Sequence, residues 1–373
     1  MSEEKLRKLY PDPVLFFSVF LLSTVGFLVV LSVRVSPYIF EGIELSDLKR
    51  PILFLLSVLF GFFLMVSLSF INYRKLNNQR LVYLMVGASL TLLAVVIAKK
   101  LLLGKRVERW LFGGSVQPSE FSKVVITIFV AYYVARKGAI EELRYFLWAV
   151  LVVIAHSLLL FLQPDKGMAV LLLTVAWAML WVGGTSPRVY LPVGAVFVLT
   201  GAFMLFTGGD YVLRRLSAWR NPMEDPFGSG YQVIQSLFAF INGGFWGQGL
   251  GKGFQKFGIL TQADTDYALA TIGEELGFPG IAFLFLLYIT VARRLIRIAR
   301  ETTDTFGRLL VTGIALHIIL SSGINVMMAV NILPPKGIPL PFVSYGVSNM
   351  MMNFVSLGIV GAVYRRQLRY RVL

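Results

Sequence analysis

PVLFFSVFLLSTVGFLVVLSV, residues 13–33, holds no charged side chain in 21 positions. As a helix rising about 1.5 Å per residue, it reaches across roughly 30 Å, the thickness of a bilayer's hydrocarbon core. The pattern recurs. Ten such runs can be marked: Pro13–Val33, Pro51–Ile71, Leu81–Ala98, Pro118–Ala135, Tyr145–Leu162, Gly167–Gly183, Val189–Thr207, Pro279–Ile298, Leu309–Val330 and Gly346–Val363. The fold class this implies is an all-α polytopic membrane protein of about ten transmembrane helices. The whole chain, 1–373, reads as a single transmembrane domain with spans from 13 to 363.

Composition agrees. Of 373 residues 57% are hydrophobic and 15% charged, and the mean hydropathy is +0.73. A water-soluble chain cannot hide that much apolar surface behind a polar face. There is no cysteine, which excludes disulfides and thiolate chemistry. The two histidines, His156 and His317, lie far apart in apolar runs and read as packed helix residues rather than a metal pair. The net charge of +15 sits at span ends, so anionic membrane lipids are the expected partner and nucleic acid is not. The first run is too long for a signal core and lacks a small-residue cleavage site, so no cleavable leader is expected.

Ten spans put both termini on one side. The basic clusters Arg74–Arg80, Arg136–Arg144, Arg293–Arg300 and Arg365–Arg371 then share that side, which marks it as cytoplasmic. The longest loop, Gly208 to Tyr267 between spans seven and eight, falls outside. It holds a basic amphipathic start (Tyr211 to Arg220), a turn at Asp225-Pro226, a helix-like stretch Tyr231 to Asn242 and a Gly-rich run Gly243 to Gly253. Loops of this length inside a compact domain are usually functional.

Charge near hydrocarbon is costly and marks candidate function. Lys99, Lys100, Lys105, Arg106, Arg109, Glu120, Lys123, Asp165, Lys166, Asp264, Asp266, Glu274, Glu275 and Lys336 collect at the outer ends of the spans. Glu120 and Lys123 share a helix face at i, i+3. They form either an ion pair that lets the helix end sit near the interface or one wall of a charged cavity. Asp264-Thr265-Asp266 precedes a helical stretch, Ala268 to Leu276, that Gly277 can close. One Asp suffices as a cap; the other can serve as a general base or hold a divalent cation. The Gly-rich run lacks the P-loop pattern. Four prolines keep residues 333–342 from being regular helix, so at that depth they are buried in protein or line a cavity.

Several segments together resemble one family. Gln117-Pro118-Ser119-Glu120-Phe121-Ser122-Lys123 is similar to its QPSE(F/L)xK motif, and Arg106-Val107-Glu108-Arg109-Trp110 to the basic-Trp element before it. Gln163-Pro164-Asp165 resembles its QPD motif. Asp264-Thr265-Asp266-Tyr267 with Ile272-Gly273-Glu274-Glu275-Leu276-Gly277 resembles HTDFIFAxIGEELG, and residues 336–346, KGIPLPFVSYG, its signature before the last span. The family is SEDS (shape, elongation, division, sporulation). Gln255-Lys256-Phe257 and Lys336-Gly337 resemble the division branch more than the elongation branch. Departures are Asp264 for the usual His, Gln262 for a Glu, Lys166 and Met168 after QPD, and Val347 and Asn349 after SYG.

The resemblance implies a peptidoglycan glycosyltransferase that polymerises lipid II in the bacterial cytoplasmic membrane, with a class B penicillin-binding transpeptidase as partner. Asp266 matches the family's functional Asp. On this reading Asp266 is the base or, alternatively with Asp264, a ligand of Mg²⁺ or Mn²⁺. Arg106, Arg109, Lys123, Lys256 and Lys336 form the pool of cations for the diphosphate, and Glu120 stands beside Lys123. Two rivals are a lipid II flippase using the same charged cavity and a scaffold for an active partner. Charges gathered at the outer ends favour surface chemistry over transport.

Overall fold

The computed structural model describes residues 11–36, 44–104, 109–111, 116–138, 140–195, 219–228 and 230–370. Arg106, residues 208–218 of the long loop and most of the seventh apolar run lie outside the described residues. Within them ten α-helices run in full: α1 (Pro13–Val35), α2 (Leu45–Ser69), α3 (Gln79–Leu102), α4 (Pro118–Lys137), α5 (Leu143–Leu162), α6 (Lys166–Val182), α7 (Tyr231–Gly243), α8 (Ala268–Glu301), α9 (Thr305–Ala329) and α10 (Val347–Tyr370). A further helix is under way at 187–195. The chain is a multi-pass membrane protein. Seven of these helices are long and apolar enough to cross a bilayer.

The ends follow local chemistry. Asp12 caps α1 by accepting from the Leu15 amide at 2.9 Å, and Pro13 occupies the first turn, where its missing N–H costs nothing. Helix α2 starts at Leu45, six residues before the sequence-based boundary at Pro51. Glu44 and Asp47 form a reciprocal cap there, so Arg50 is carried on the helix. Gly138, at φ 72°, closes α4.

Helix α4 explains how charge is tolerated. It carries Glu120, Lys123, Arg136 and Lys137, too many for a lipid-facing span, yet 16 of its 20 residues are buried. It packs against α3, α5, α6, α9 and α10 and so runs through protein rather than lipid. Gly313 of α9 allows close contact with Thr127 of α4 and Met179 of α6. Ser89 of α3 meets Ser122 of α4 at 2.8 Å.

Helix α8 breaks at Gly277, φ 62° and ψ −156°, just before Pro279. The break frees carbonyls that would otherwise bond along the helix. The Gly-rich run supplies the missing donors: Gln248 N–H reaches Glu274 O and Gly249 N–H reaches Glu275 O, each at 2.9 Å, while Phe278 N–H reaches Phe245 O at 2.9 Å. Gly247 has to be glycine, because its φ is 77° and a Cβ would meet the backbone of Glu275 and Gly277.

Side chains finish the seam. Glu274 accepts from the Phe254 amide at 3.0 Å and the Gln255 amide at 3.1 Å. Glu275 accepts from Gly251 N–H at 3.1 Å, Ser32 Oγ at 2.5 Å and Lys256 Nζ at 2.6 Å. Both carboxylates and Lys256 are buried. The two glutamates therefore hold the loop onto the broken helix and onto α1.

Removing one member of such a pair leaves an uncompensated buried charge, at a cost of roughly 3–5 kcal/mol, whereas an apolar replacement of both is often neutral. Lys256→Met should accordingly lower the unfolding midpoint in detergent sharply. Adding Glu275→Leu should recover most of the loss. A single variant as stable as the parent would refute the seam as a buried ion pair.

Candidate functional site

One end of the bundle gathers the irregular segments that precede α4, α6, α8 and α10. Asp266 lies there, one residue ahead of the cap of α8, half-buried. Its backbone carbonyl accepts from Nδ2 of Asn325 at 2.8 Å, and the same amide group donates to Ile338 O at 2.9 Å. Asn325 projects from α9 and is fully buried, so one side chain joins the turn that carries Asp266 to the Pro-rich segment. A methyl group on Gly337 would stand 3.4 Å from Oδ2 of Asp266 and 3.7 Å from a guanidinium nitrogen of Arg109. Glycine there keeps the space between carboxylate and guanidinium open.

Arg109 is fixed by its own contacts. It donates to Pro164 O at 2.7 Å and stands 3.9 Å from the carboxylate of Asp165. Gln117, the residue before α4, donates to Asp165 at 3.3 Å. Gln163 is buried and donates to Leu93 O at 2.8 Å, which ties the QPD turn to α3. Burial pushes the Asp165 carboxyl up, against the opposing pull of Arg109. Burial likewise pushes Asp266 up to about 6; Arg109 draws it down, and the charges of Asp165 and Asp264 add to the rise. A carboxyl poised there is ionised at neutral pH yet basic enough to accept a proton.

Asp264 has a different role. Arg34 of α1 donates to it from Nε at 2.8 Å and Arg50 of α2 at 3.0 Å. The carboxylate is buried between them, and Arg50 also lies 5.2 Å from the ring centre of Tyr345. The Tyr345 amide donates to Asp264 O at 2.7 Å, and Ser344 Oγ donates to Thr265 O at 2.5 Å. The two residues before Asp266 are thus held by other elements. Asp264 and Asp266 do not form the paired metal site that their spacing allows, because the first carboxylate is already met by two guanidinium groups. Among the described residues no three His, Cys, Asp or Glu side chains cluster closely enough to hold a metal ion.

The remaining candidates separate. Glu120 and Lys123 pair at 2.5 Å, both buried within the first two turns of α4. Lys336 is half-buried beside Gly167 at the start of α6, on the segment that carries Gly337. Lys256 is not with them: its ammonium is spent on Glu275 and Ser32. Arg106 lies outside the described residues. Arg34, Arg50 and Asn325 escaped the sequence reading. Asn325 sits in an apolar run with no motif around it. Arg34 and Arg50 had one signal: an Asp in place of His at 264 needs a cation if it is to be buried.

A family model described as "Cell cycle protein", covering FtsW, RodA and SpoVE, matches residues 13–368. The chain is 38% identical over 262 residues to a probable peptidoglycan glycosyltransferase FtsW of Trichlorobacter lovleyi, spanning 69% of this chain and 68% of that one. It is 36% identical over 308 residues to the protein of that name from Geobacter sulfurreducens, 81% and 82% of the two chains. Among solved structures, a chain from a study of "structural coordination of polymerization and crosslinking by a peptidoglycan synthase complex" superposes with TM-score 0.76 at 24% identity, over 96% of this chain and 98% of that one. Thermus thermophilus rod shape determining protein RodA superposes at 0.66 with 23% identity, over 96% and 97%. With nearly its whole length matched, and with the motif residues brought to one end of the bundle, the chain belongs to the FtsW/RodA/SpoVE family.

Proposed function

We propose that this protein is a peptidoglycan glycosyltransferase that polymerises lipid II at the outer face of the bacterial cytoplasmic membrane, with both termini cytoplasmic. The observation that carries the reading is Asp266: a carboxyl raised to about 6, facing Arg109 across the open space at Gly337. Its relatives' names supply the reaction class, and the basic short loops at the opposite end support the orientation.

The chemistry required is attack by an acceptor sugar 4-hydroxyl on the anomeric carbon of a lipid-diphosphate donor. The new C–O bond forms from the hydroxyl oxygen. The anomeric C–O bond to the diphosphate breaks, and its electron pair leaves with the lipid diphosphate. Asp266 accepts the hydroxyl proton. Arg109 and Lys336 stand where they can meet the negative charge that grows on the leaving group. Lys123 is partnered by Glu120 and tunes the field from below. Beyond this pair α4 carries Ile126, Phe129 and Val130, all buried, which favours chemistry at the outer face over passage of a polar headgroup along this helix. The partner fitting this division of labour is a class B penicillin-binding transpeptidase that crosslinks the product, and the division-type motifs favour septal over lateral synthesis.

Purified protein given lipid II, with and without the transpeptidase, should make glycan strands. Asp266→Asn should form them at least about a hundredfold more slowly, the scale of a lost general base. An Asn variant that inserts normally and polymerises at the parent rate would overturn the assignment.

The pH profile gives a second check. The carboxylate is lost as pH falls through the folded pKa, so the acid limb should lie near pH 6. Arg109 holds that value down, so Arg109→Gln should move the limb to higher pH. A limb unmoved by the substitution would separate Arg109 from Asp266.

A further inference from the structure

At the end of the bundle away from Asp266 lies a cavity of about 1170 Å³, bounded by the first turns of α3 and α5 and the last turn of α4. Its volume lies above the roughly 300–1,000 Å³ of a typical small-ligand site, and its lining includes exposed apolar residues of α5. Its mouth holds Arg136, Lys137 and Arg144, its inner wall Tyr132 and Tyr133. The α4 helix of 20 residues separates it from the Asp266 recess by roughly 30 Å.

Two of the cations rest on one aromatic ring. Lys137 Nζ lies 3.8 Å from the centre of the Tyr145 ring, and Arg144 lies 4.7 Å from the same ring. Arg144 donates to Tyr145 Oη at 2.8 Å, and Tyr133 Oη donates to the Tyr145 backbone carbonyl at 2.9 Å, which anchors the residue whose ring they share. The one described carboxylate in ion-pair reach is Glu142, 3.8 Å from Arg144, with both side chains largely exposed. No described carboxylate pairs with Arg136 or Lys137. Three positive charges thus face one negative.

Below them the wall turns apolar. Leu147, Trp148, Leu151 and Ile154 continue the lining along α5, and the first three are 45%, 47% and 55% exposed. From Arg144 to Ile154 the stripe runs about 15 Å at 1.5 Å per residue. That is half of a roughly 30 Å hydrocarbon core, the depth of one leaflet. Charge at the headgroup level and an apolar groove one leaflet deep describe an amphiphile's site.

We infer that this cavity binds one anionic glycerophospholipid of the leaflet at that end, its phosphate on Arg136, Lys137 and Arg144 and an acyl chain along Leu147–Ile154. The site is separate from the polymerising reaction and is tested without measuring it. The full-length protein in detergent is incubated with equal amounts of phosphatidylglycerol and phosphatidylcholine, and retained lipid is read by native mass spectrometry alongside the melting temperature. The parent should keep one phosphatidylglycerol and melt higher with it. R136Q/K137Q/R144Q should retain at least tenfold less and show no shift, while the charge-preserving R136K/K137R/R144K should behave as the parent, which separates lost binding from lost folding. Equal retention of both lipids, or a triple Gln variant indistinguishable from the parent, would reduce the cavity to ordinary lipid belt. A shift produced by free glycerol phosphate alone, or by undecaprenyl phosphate but not phosphatidylglycerol, would equally overturn the assignment.

Discussion

A backbone that leaves helix at membrane depth has to find hydrogen-bond partners inside the protein, because hydrocarbon offers none. The break of α8 at Gly277 is where this chain meets that constraint. The carbonyls set free there recruit the Gly-rich run, and the carboxylates of Glu274 and Glu275 recruit the amides and the lysine that follow it. What results is a rigid seat immediately beneath the loop that leads to Asp266. The glycines are not a sign of looseness. They allow backbone to lie on backbone where a side chain would force the two apart.

The same logic governs the opposite wall. Residues 333–346 are irregular because of their prolines, and they are held by Asn325, Ser344 and the amide of Tyr345. Phe342 adopts φ 67° while fully buried, a strained conformation that survives only where packing over-determines it. Asp266 therefore sits between two segments that are irregular in shape yet pinned at many points. This is how a carboxylate can be held to a fixed position on loops.

Much of this was legible in residues alone. Nine of the ten apolar runs coincide with described helices, because long apolar runs with few charges have few other fates. The helical stretch 268–276 and its closure at Gly277 were readable from Asp, Gly and Pro at fixed offsets. The motif residues at 109, 117, 163–165, 266 and 337 do converge. The partners of Asp264 were not legible, since Arg34 and Arg50 lie more than two hundred positions away in sequence and only tertiary packing brings them to it. Lys256 was misplaced for a related reason. Its charge suggested a ligand for phosphate, but spacing along a chain cannot show that a buried glutamate has a prior claim. Asn325 looks like any polar interruption of a span until the two carbonyls it joins are in view.

The enclosure of α4 has a consequence for biogenesis. A helix with Glu120, Lys123, Arg136 and Lys137 partitions poorly by itself, since a lone central charge costs about 2.5–3.5 kcal/mol on insertion scales. Two features lower that barrier. Glu120 and Lys123 neutralise each other within one turn, and Arg136 and Lys137 lie at the last turn, where they stay in the interface. Even so, α4 gains a stable place only once α3 is there to receive Ser122 and its apolar face. The end of the molecule that holds Asp266 is thus assembled around a span that the membrane by itself would not choose, and its order of arrival is written into which helices surround it.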